Sequence, residues 1–286
     1  MAAWQDLFPI KSDEMHLQDA VMRYVDVGSG PTVLMVHGNP TWSFYYHELI
    51  RRLSSSYRCV APDHVGCGRS DKPQKYDYCL DRHVENLSEM VERMDLKGVT
   101  LVAHDWGGAI GLGTLLENPA RFSRIVLLNT GAFPPPFFPL RIRACRLPVV
   151  GRMAVQGLNL FAKSAVKMAT NRADGLPREI AAGLLAPYNS WSNRIATYEF
   201  VADIPTTPNQ KTWQTLEAIE RRLAKISQKK LLIWGMRDWC FRPECLDRFI
   251  KHWPDAEVER LAEAGHYVLL DQPDTVILRI ERFLAS

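Results

Sequence analysis

Short β-branched runs that are apolar from end to end alternate along this chain with longer stretches of helical spacing, and that rhythm narrows the fold more than any other feature. Thr32–Val36, Val99–Ala103, Ile125–Leu128 and Leu231–Trp234 carry no charge, as strands covered on both faces require. Val21–Val27, Arg58–Ala61 and Glu257–Leu261 read as further strands. Trp42–Leu53, Leu80–Met94, Gly107–Leu116, Pro243–Lys251 and Asp274–Leu284 have helical spacing. The alternation predicts an α/β fold, a mostly parallel, doubly wound sheet with helices on both sides. At 286 residues and 47% hydrophobic, the chain has ample apolar material for such a core.

The rhythm breaks after Leu128. A proline-rich run, Phe133–Pro139, opens a mainly helical, basic stretch that ends near Pro205–Pro208, and the strand pattern resumes at Leu231. Strands on either side of an excursion must still pair with each other, so the stretch is expected to be an inserted helical cap. The expected division is a core of residues 1–130 and 209–286 with a cap of residues 131–208.

Net charge is +3, from 35 basic and 32 acidic residues, too small to suggest a nucleic-acid partner. Its distribution is uneven: Asn118–Ala173 contains no Asp or Glu but holds Arg141, Arg143, Arg146, Arg152, Lys163 and Lys167 among its cations. The plain reading is a solvated basic face; the alternatives are docking to an acidic protein or to an anionic membrane surface. Six scattered cysteines without Cys-x-x-Cys spacing, and an N-terminus without a secretory pattern, suggest a reducing cytoplasmic setting. The longest uncharged stretch, Ile125–Leu140, carries Pro134, Pro135, Pro136 and Pro139, so a transmembrane helix is not expected.

Chemistry concentrates at Leu101–Gly108, where a buried strand runs directly into a helix through small residues, the setting of a nucleophile elbow. The elbow residue is Asp105. A carboxylate is already ionised at neutral pH and needs no base to activate it. Attack on an ordinary ester would give an anhydride, so its productive targets are saturated carbons bearing a leaving group. The resulting alkyl ester could be hydrolysed by base-activated water. His266 follows the last strand and Asp238 the strand before it, both just past carboxyl ends, where such sheets collect their sites. Asn129, after the strand ending at Leu128, cannot serve as the acid. In His37-Gly38-Asn39-Pro40, Gly38 allows a sharp turn that presents the Asn39 N–H opposite that of Trp106. The Asn39 amide and Trp106 indole add neutral donors suited to a departing anion.

Through His37-Gly38-Asn39-Pro40, Asp63 with Gly66-Cys67-Gly68-Arg69-Ser70-Asp71-Lys72-Pro73, and His104-Asp105-Trp106-Gly107, the chain resembles the haloalkane dehalogenases of the α/β-hydrolase superfamily. The resemblance implies Asp105 as nucleophile, His266 as base, Asp238 as acid, and Asn39 with Trp106 as leaving-group stabilisers. The segments Leu128–Pro134, Ala186–Trp191, Asn193–Ala196 and Phe200–Pro205 resemble the β-lactone decarboxylases of bacterial olefin biosynthesis, which group with the third dehalogenase branch. That implies a hydrophobic substrate, a cis-3,4-dialkyl β-lactone converted to a cis-alkene and carbon dioxide, with assembly alongside other enzymes of that pathway as a further expectation. Hydrolytic dehalogenation is the alternative and uses every residue just named.

Blander roles stand beside these. Asp105 alone reads equally as a helix N-cap. His104 is assigned to packing, His37 to its turn, and Asp63 and Asp71 to fixing their glycine-rich loop. Cys240 and Cys245 lack partners at ligand spacing, so neither a metal nor a cofactor is expected. Phe133, Tyr188, Trp191 and Tyr198 are either cap core or pocket lining. Tyr188 and Tyr198 would also be the candidates for protonating an epoxide, a third possible chemistry, against which Asn39 counts. A receptor-like protein that binds without turnover is the non-enzymatic reading.

Overall fold

A computed structural model describes residues 3–286. Eight strands form one sheet: β1 (Asp13–His16), β2 (Val21–Val27), β3 (Thr32–Val36), β4 (Arg58–Pro62), β5 (Val99–Asp105), β6 (Phe122–Thr130), β7 (Lys229–Gly235) and β8 (Glu257–Leu261). Their spatial order is β1-β2-β4-β3-β5-β6-β7-β8. From β4 through β8 every neighbour is parallel, while β1 and β2 join antiparallel at one edge. The short polar strand β1, Asp-Glu-Met-His, buries only Met15 and so leaves almost no periodic signal.

The apolar strands split residue by residue between two cores, as the two-residue period of a strand requires. Leu34, Val36, Leu101, Leu127 and Leu232 face helices Leu80–Arg93, Trp106–Glu117, Lys211–Leu223 and Pro243–His252. Val33, Met35, Val102, Val126 and Ile233 face helices His47–Leu53 and Pro273–Ala285. The stretch Trp42–Leu53 is not one helix. A tight 3-10 turn, Ser43–Tyr46, precedes the α-helix at His47, held where Asp63 accepts the Ser43 N–H at 2.7 Å and the Tyr46 hydroxyl donates to the Val36 carbonyl at 2.8 Å.

Between β6 and β7 the chain forms helices Leu140–Cys145, Val150–Arg152, a π turn at Met153–Gly157, then Leu160–Met168, Arg178–Leu185 and Ile195–Asp203. The next helix, Lys211–Leu223, returns to the sheet and packs on Leu80–Arg93 and Trp106–Glu117. Among the described residues no helix is long and apolar enough to cross a membrane.

Candidate active site

Asp105 ends β5 and its backbone turns into the helix with φ 54° and ψ −130°, a conformation that side-chain-bearing residues rarely adopt. Holding it costs about 1–3 kcal/mol, supplied by the surroundings. The β5–β6 register shifts between His104 and Asp105, and the Thr130 hydroxyl donates to the Asp105 carbonyl. The side chain is thereby held at the carboxyl edge of the sheet. It is not a capping side chain for its own helix.

The Asn39 N–H donates to Asp105 Oδ1 at 2.6 Å, and the nearby backbone N–H of Trp106 also favours the ionised carboxylate. Gly38 permits this approach: a Cβ at that position would overlap the Asp105 carboxylate itself. The other oxygen, Oδ2, lies 3.6 Å from His266 Nε2. His266 Nδ1 donates to Asp238 Oδ2 at 2.8 Å. Asp238 is fixed in turn by the Cys240 N–H at 2.7 Å on Oδ1 and by Asn129 Nδ2 at 3.0 Å on Oδ2. The structure therefore brings Asp105, His266 and Asp238 into one connected line, in the geometry of a nucleophile, a base and an orienting acid.

Electrostatics fit that geometry. Burial raises the Asp105 carboxyl above the usual range, opposed by His266 and by the N–H groups of Trp106 and Asn39. Burial likewise disfavours the His266 cation, but the carboxylates of Asp238 and Asp105 outweigh it and raise the imidazole. The pair is thus poised to share charge in a buried site.

Asp105, His266, Asn39 and Trp106 all border one cavity of about 960 Å³. Its walls are mainly apolar, from Phe133, Phe138, Ile142, Phe161, Val201 and Leu216. The segment between β6 and β7 supplies most of that wall. The Asn39 amide is tethered, its Nδ2 donating to the Thr197 carbonyl at 3.1 Å, which leaves its second N–H for a ligand. The Trp106 indole N–H has no partner among the described residues.

The α/β-hydrolase fold family model matches residues 31–273. The chain belongs to the α/β-hydrolase fold family. This α/β hydrolase is 39% identical to the cis-3-alkyl-4-alkyloxetan-2-one decarboxylase of Shewanella oneidensis, over 98% of this chain and 90% of that protein. It is 31% identical to haloalkane dehalogenase 2 of Mycobacterium tuberculosis, over 97% of this chain and 96% of that protein. Among solved structures, the haloalkane dehalogenase of Bradyrhizobium elkani shares its fold with a TM-score of 0.89, covering 96% of this chain and 98% of that one at 24% identity.

Several side chains of this α/β hydrolase have settled structural tasks. Asp63 accepts the N–H groups of Ser43 and Arg69, and Asp71 accepts that of Val21, so both pin their loop. Of the aromatics between β6 and β7 singled out above, Phe133 borders the cavity, while Tyr188, Trp191 and Tyr198 do not. Tyr188 donates to the Thr41 carbonyl at 2.9 Å, and Tyr198 lies under Arg152. Neither tyrosine can protonate a ligand held at Asp105. Asn129 is a positioning residue beyond the sequence expectation. It bonds Gly235 through both ends of its amide as well as Asp238, locking the β6 and β7 ends together. The sequence signal was its place at the end of a buried strand, where a polar residue needs partners.

His37, His64, His83 and His104 are all buried. His104 Nε2 donates to the His266 carbonyl at 2.9 Å and its ring stacks on Tyr45, which braces His266 from behind. His37 Nε2 accepts the His64 N–H at 3.1 Å, so Nδ1 carries the proton given to the Gly38 carbonyl. Burial pushes the His37 imidazole down to about 4, and His64, His83 and His104 shift the same way. The unfolded chain, with imidazoles near 6.5, then binds more protons than the folded one as pH falls through that window. Stability is expected to drop from pH 7 towards pH 4: His37 alone contributes on the order of 3 kcal/mol, Asp203, which burial raises to about 7, acts in the opposite direction by a similar amount, and His64, His83 and His104 supply the net fall. Urea midpoints across that range check it; a midpoint that stays flat would contradict the neutral buried histidines.

Proposed function

We propose that this chain is a β-lactone decarboxylase that converts a cis-3-alkyl-4-alkyloxetan-2-one into a cis-alkene and carbon dioxide, with residues 131–208 as the cap that shapes the pocket. The observation that carries the reading is the union of an elbow carboxylate with a large apolar cavity. About 960 Å³ lies near the upper end of ligand pockets, which run to about 1,000 Å³, and suits a ligand with two alkyl arms better than a small haloalkane. The Shewanella relative, named as such a decarboxylase, supports it.

In this scheme Asp105 Oδ2 attacks C4 of the ring with inversion. The C4–O bond breaks, and its electron pair stays on oxygen as a carboxylate attached to C3. That carboxylate sits among apolar walls, which favours its loss. The C2–C3 bond then breaks, its electrons form the C3–C4 double bond, and Asp105 leaves C4 as a carboxylate while carbon dioxide departs. Inversion followed by anti elimination yields the cis product. Atoms and charge balance, and no water is consumed. The protonated His266, 3.6 Å from Oδ2, favours departure of Asp105 by hydrogen-bonding the carboxylate as it forms.

Hydrolytic dehalogenation is the second reading, favoured by the second N–H of Asn39 and the free indole N–H of Trp106 as a halide cradle. One paired assay separates them. Incubation with a cis-dialkyl β-lactone is expected to give alkene and carbon dioxide; a 1-haloalkane should give little alcohol and halide. Halide release as the dominant turnover, with the lactone untouched, would reverse the order. Gly38→Ala, whose methyl displaces the carboxylate, is expected to lower lactone turnover by on the order of 10²-fold while circular dichroism retains the α/β signature.

A further inference from the structure

The helices that follow the proline-rich run carry a surface unlike the rest of the molecule. Leu140, Val149 and Val150 are 78%, 74% and 68% exposed, and Leu147, Met153 and Leu158 are each more than half exposed. They lie on consecutive, mutually packed turns from Leu140 to Met168. Trp191, itself exposed, borders the same surface. A Cβ built on Gly157 would lie 3.4 Å from its ring and 3.5 Å from Met153 Cε. Folded monomers rarely leave so many large aliphatic side chains in water without a partner.

Charge says what kind of partner. Arg141, Arg143, Lys163 and Lys167 are exposed on the same helices, and no Asp or Glu occurs from Asn118 to Ala173. None of the four is in an ion pair among the described residues, whereas Arg121 and Lys211 on other parts of the chain pair with Asp95 and Asp81. A second copy docking the same face onto itself would set these cations against each other. The partner must be anionic.

The cavity decides between an acidic protein and a lipid surface. Phe137 and Leu160 are partly exposed and also line the cavity, and Arg141 stands with them at its rim. The opening therefore lies within the apolar, basic face. A protein seated there would stopper the cavity, whereas a bilayer would continue it with a second apolar medium. Aliphatic side chains at the acyl boundary, cations among anionic headgroups and a tryptophan at the interface are the composition of a surface that lies on a membrane without crossing it.

We propose that the face formed by residues 137–168 docks on an anionic lipid bilayer and sets the mouth of the cavity against the acyl region, from which an apolar substrate enters. The delivery step rests on the decarboxylase reading above; docking itself does not.

The test uses the full chain and two independent readouts. In flotation without substrate, the protein is expected to bind vesicles of phosphatidylcholine with phosphatidylglycerol at least about tenfold more strongly than phosphatidylcholine alone, with the preference lost at high salt. Arg143→Gln with Lys163→Gln and Lys167→Gln should abolish the preference. Val149→Ser with Val150→Ser should weaken binding by about tenfold, which charge attraction alone would not produce. Turnover of a water-soluble short-chain lactone, measured without vesicles, should be the same in all variants and reports separately on the chemistry. Absence of binding to the anionic vesicles, or binding that the serine variants leave unchanged, would overturn the docking surface even if lactone turnover is found. Docking that raises no turnover of a long-chain lactone carried in the vesicles would overturn delivery alone.

Discussion

Asp105→Asn is expected to stop alkene formation from a cis-dialkyl β-lactone, lowering kcat/KM by on the order of 10⁴-fold or more. The amide keeps the shape of the side chain but presents no anionic oxygen to C4, so the covalent step is lost and only binding remains. Stability should hold or rise. The native carboxylate is buried, its carboxyl is raised by that burial, and its backbone is strained, so the neutral amide relieves a cost of the folded state. The decisive pair of measurements is turnover and thermal midpoint on the same preparation. A variant that keeps turnover within tenfold of the parent would remove Asp105 from the chemistry, whatever its geometry.

His266→Gln should divide the two candidate reactions. With a 1-haloalkane, attack by Asp105 needs no base, but release of the alkyl ester needs water activated by His266, so the ester should accumulate and add the alkyl mass to the protein. With the lactone, cleavage of the C2–C3 bond expels Asp105 without water. Alkene should still form, slowed by on the order of 10²-fold through loss of the donor beside the leaving carboxylate. Intact-mass spectrometry reads both cases. The pH profile of the parent gives a second discriminant. Because Asp238 and Asp105 outweigh burial and raise His266, its cation persists to higher pH than an ordinary imidazole. Decarboxylation, which uses that cation, should fall as pH rises through the raised value; ester hydrolysis, which needs the neutral ring, should rise there. A stoichiometric adduct from the lactone as stable as that from the haloalkane, or a hydroxy-acid product, would return water to the mechanism.

The sheet was legible where burial on both faces forces an unbroken apolar run. β3, β5, β6 and β7 are fully apolar or nearly so across their centres, and no other element of that length and composition fits between the helical stretches. β1 was not legible, because an edge strand with one buried residue has no pattern to read. The elbow was legible for a related reason. A strand that passes directly into a helix through Gly107 and Gly108 can do so only in a tight turn, and the residue at its apex is Asp105. Chain order then put Asp238 and His266 after the last two strands.

By itself the sequence determined the α/β scaffold, the elbow carboxylate and the strand ends that carry Asp238 and His266, since all three follow from local composition. Tertiary structure alone decided the rest. It turned the N–H group of Asn39 onto Asp105, tied the Asn39 amide to Thr197, made Asn129 the brace of Asp238, and kept Tyr188 and Tyr198 out of the cavity. It also placed Leu140, Val149 and Val150 outside the core. Each of these is a contact, or the lack of one, between segments far apart in the chain, and hydrophobic spacing along one segment says which side chains are apolar without saying what they will meet.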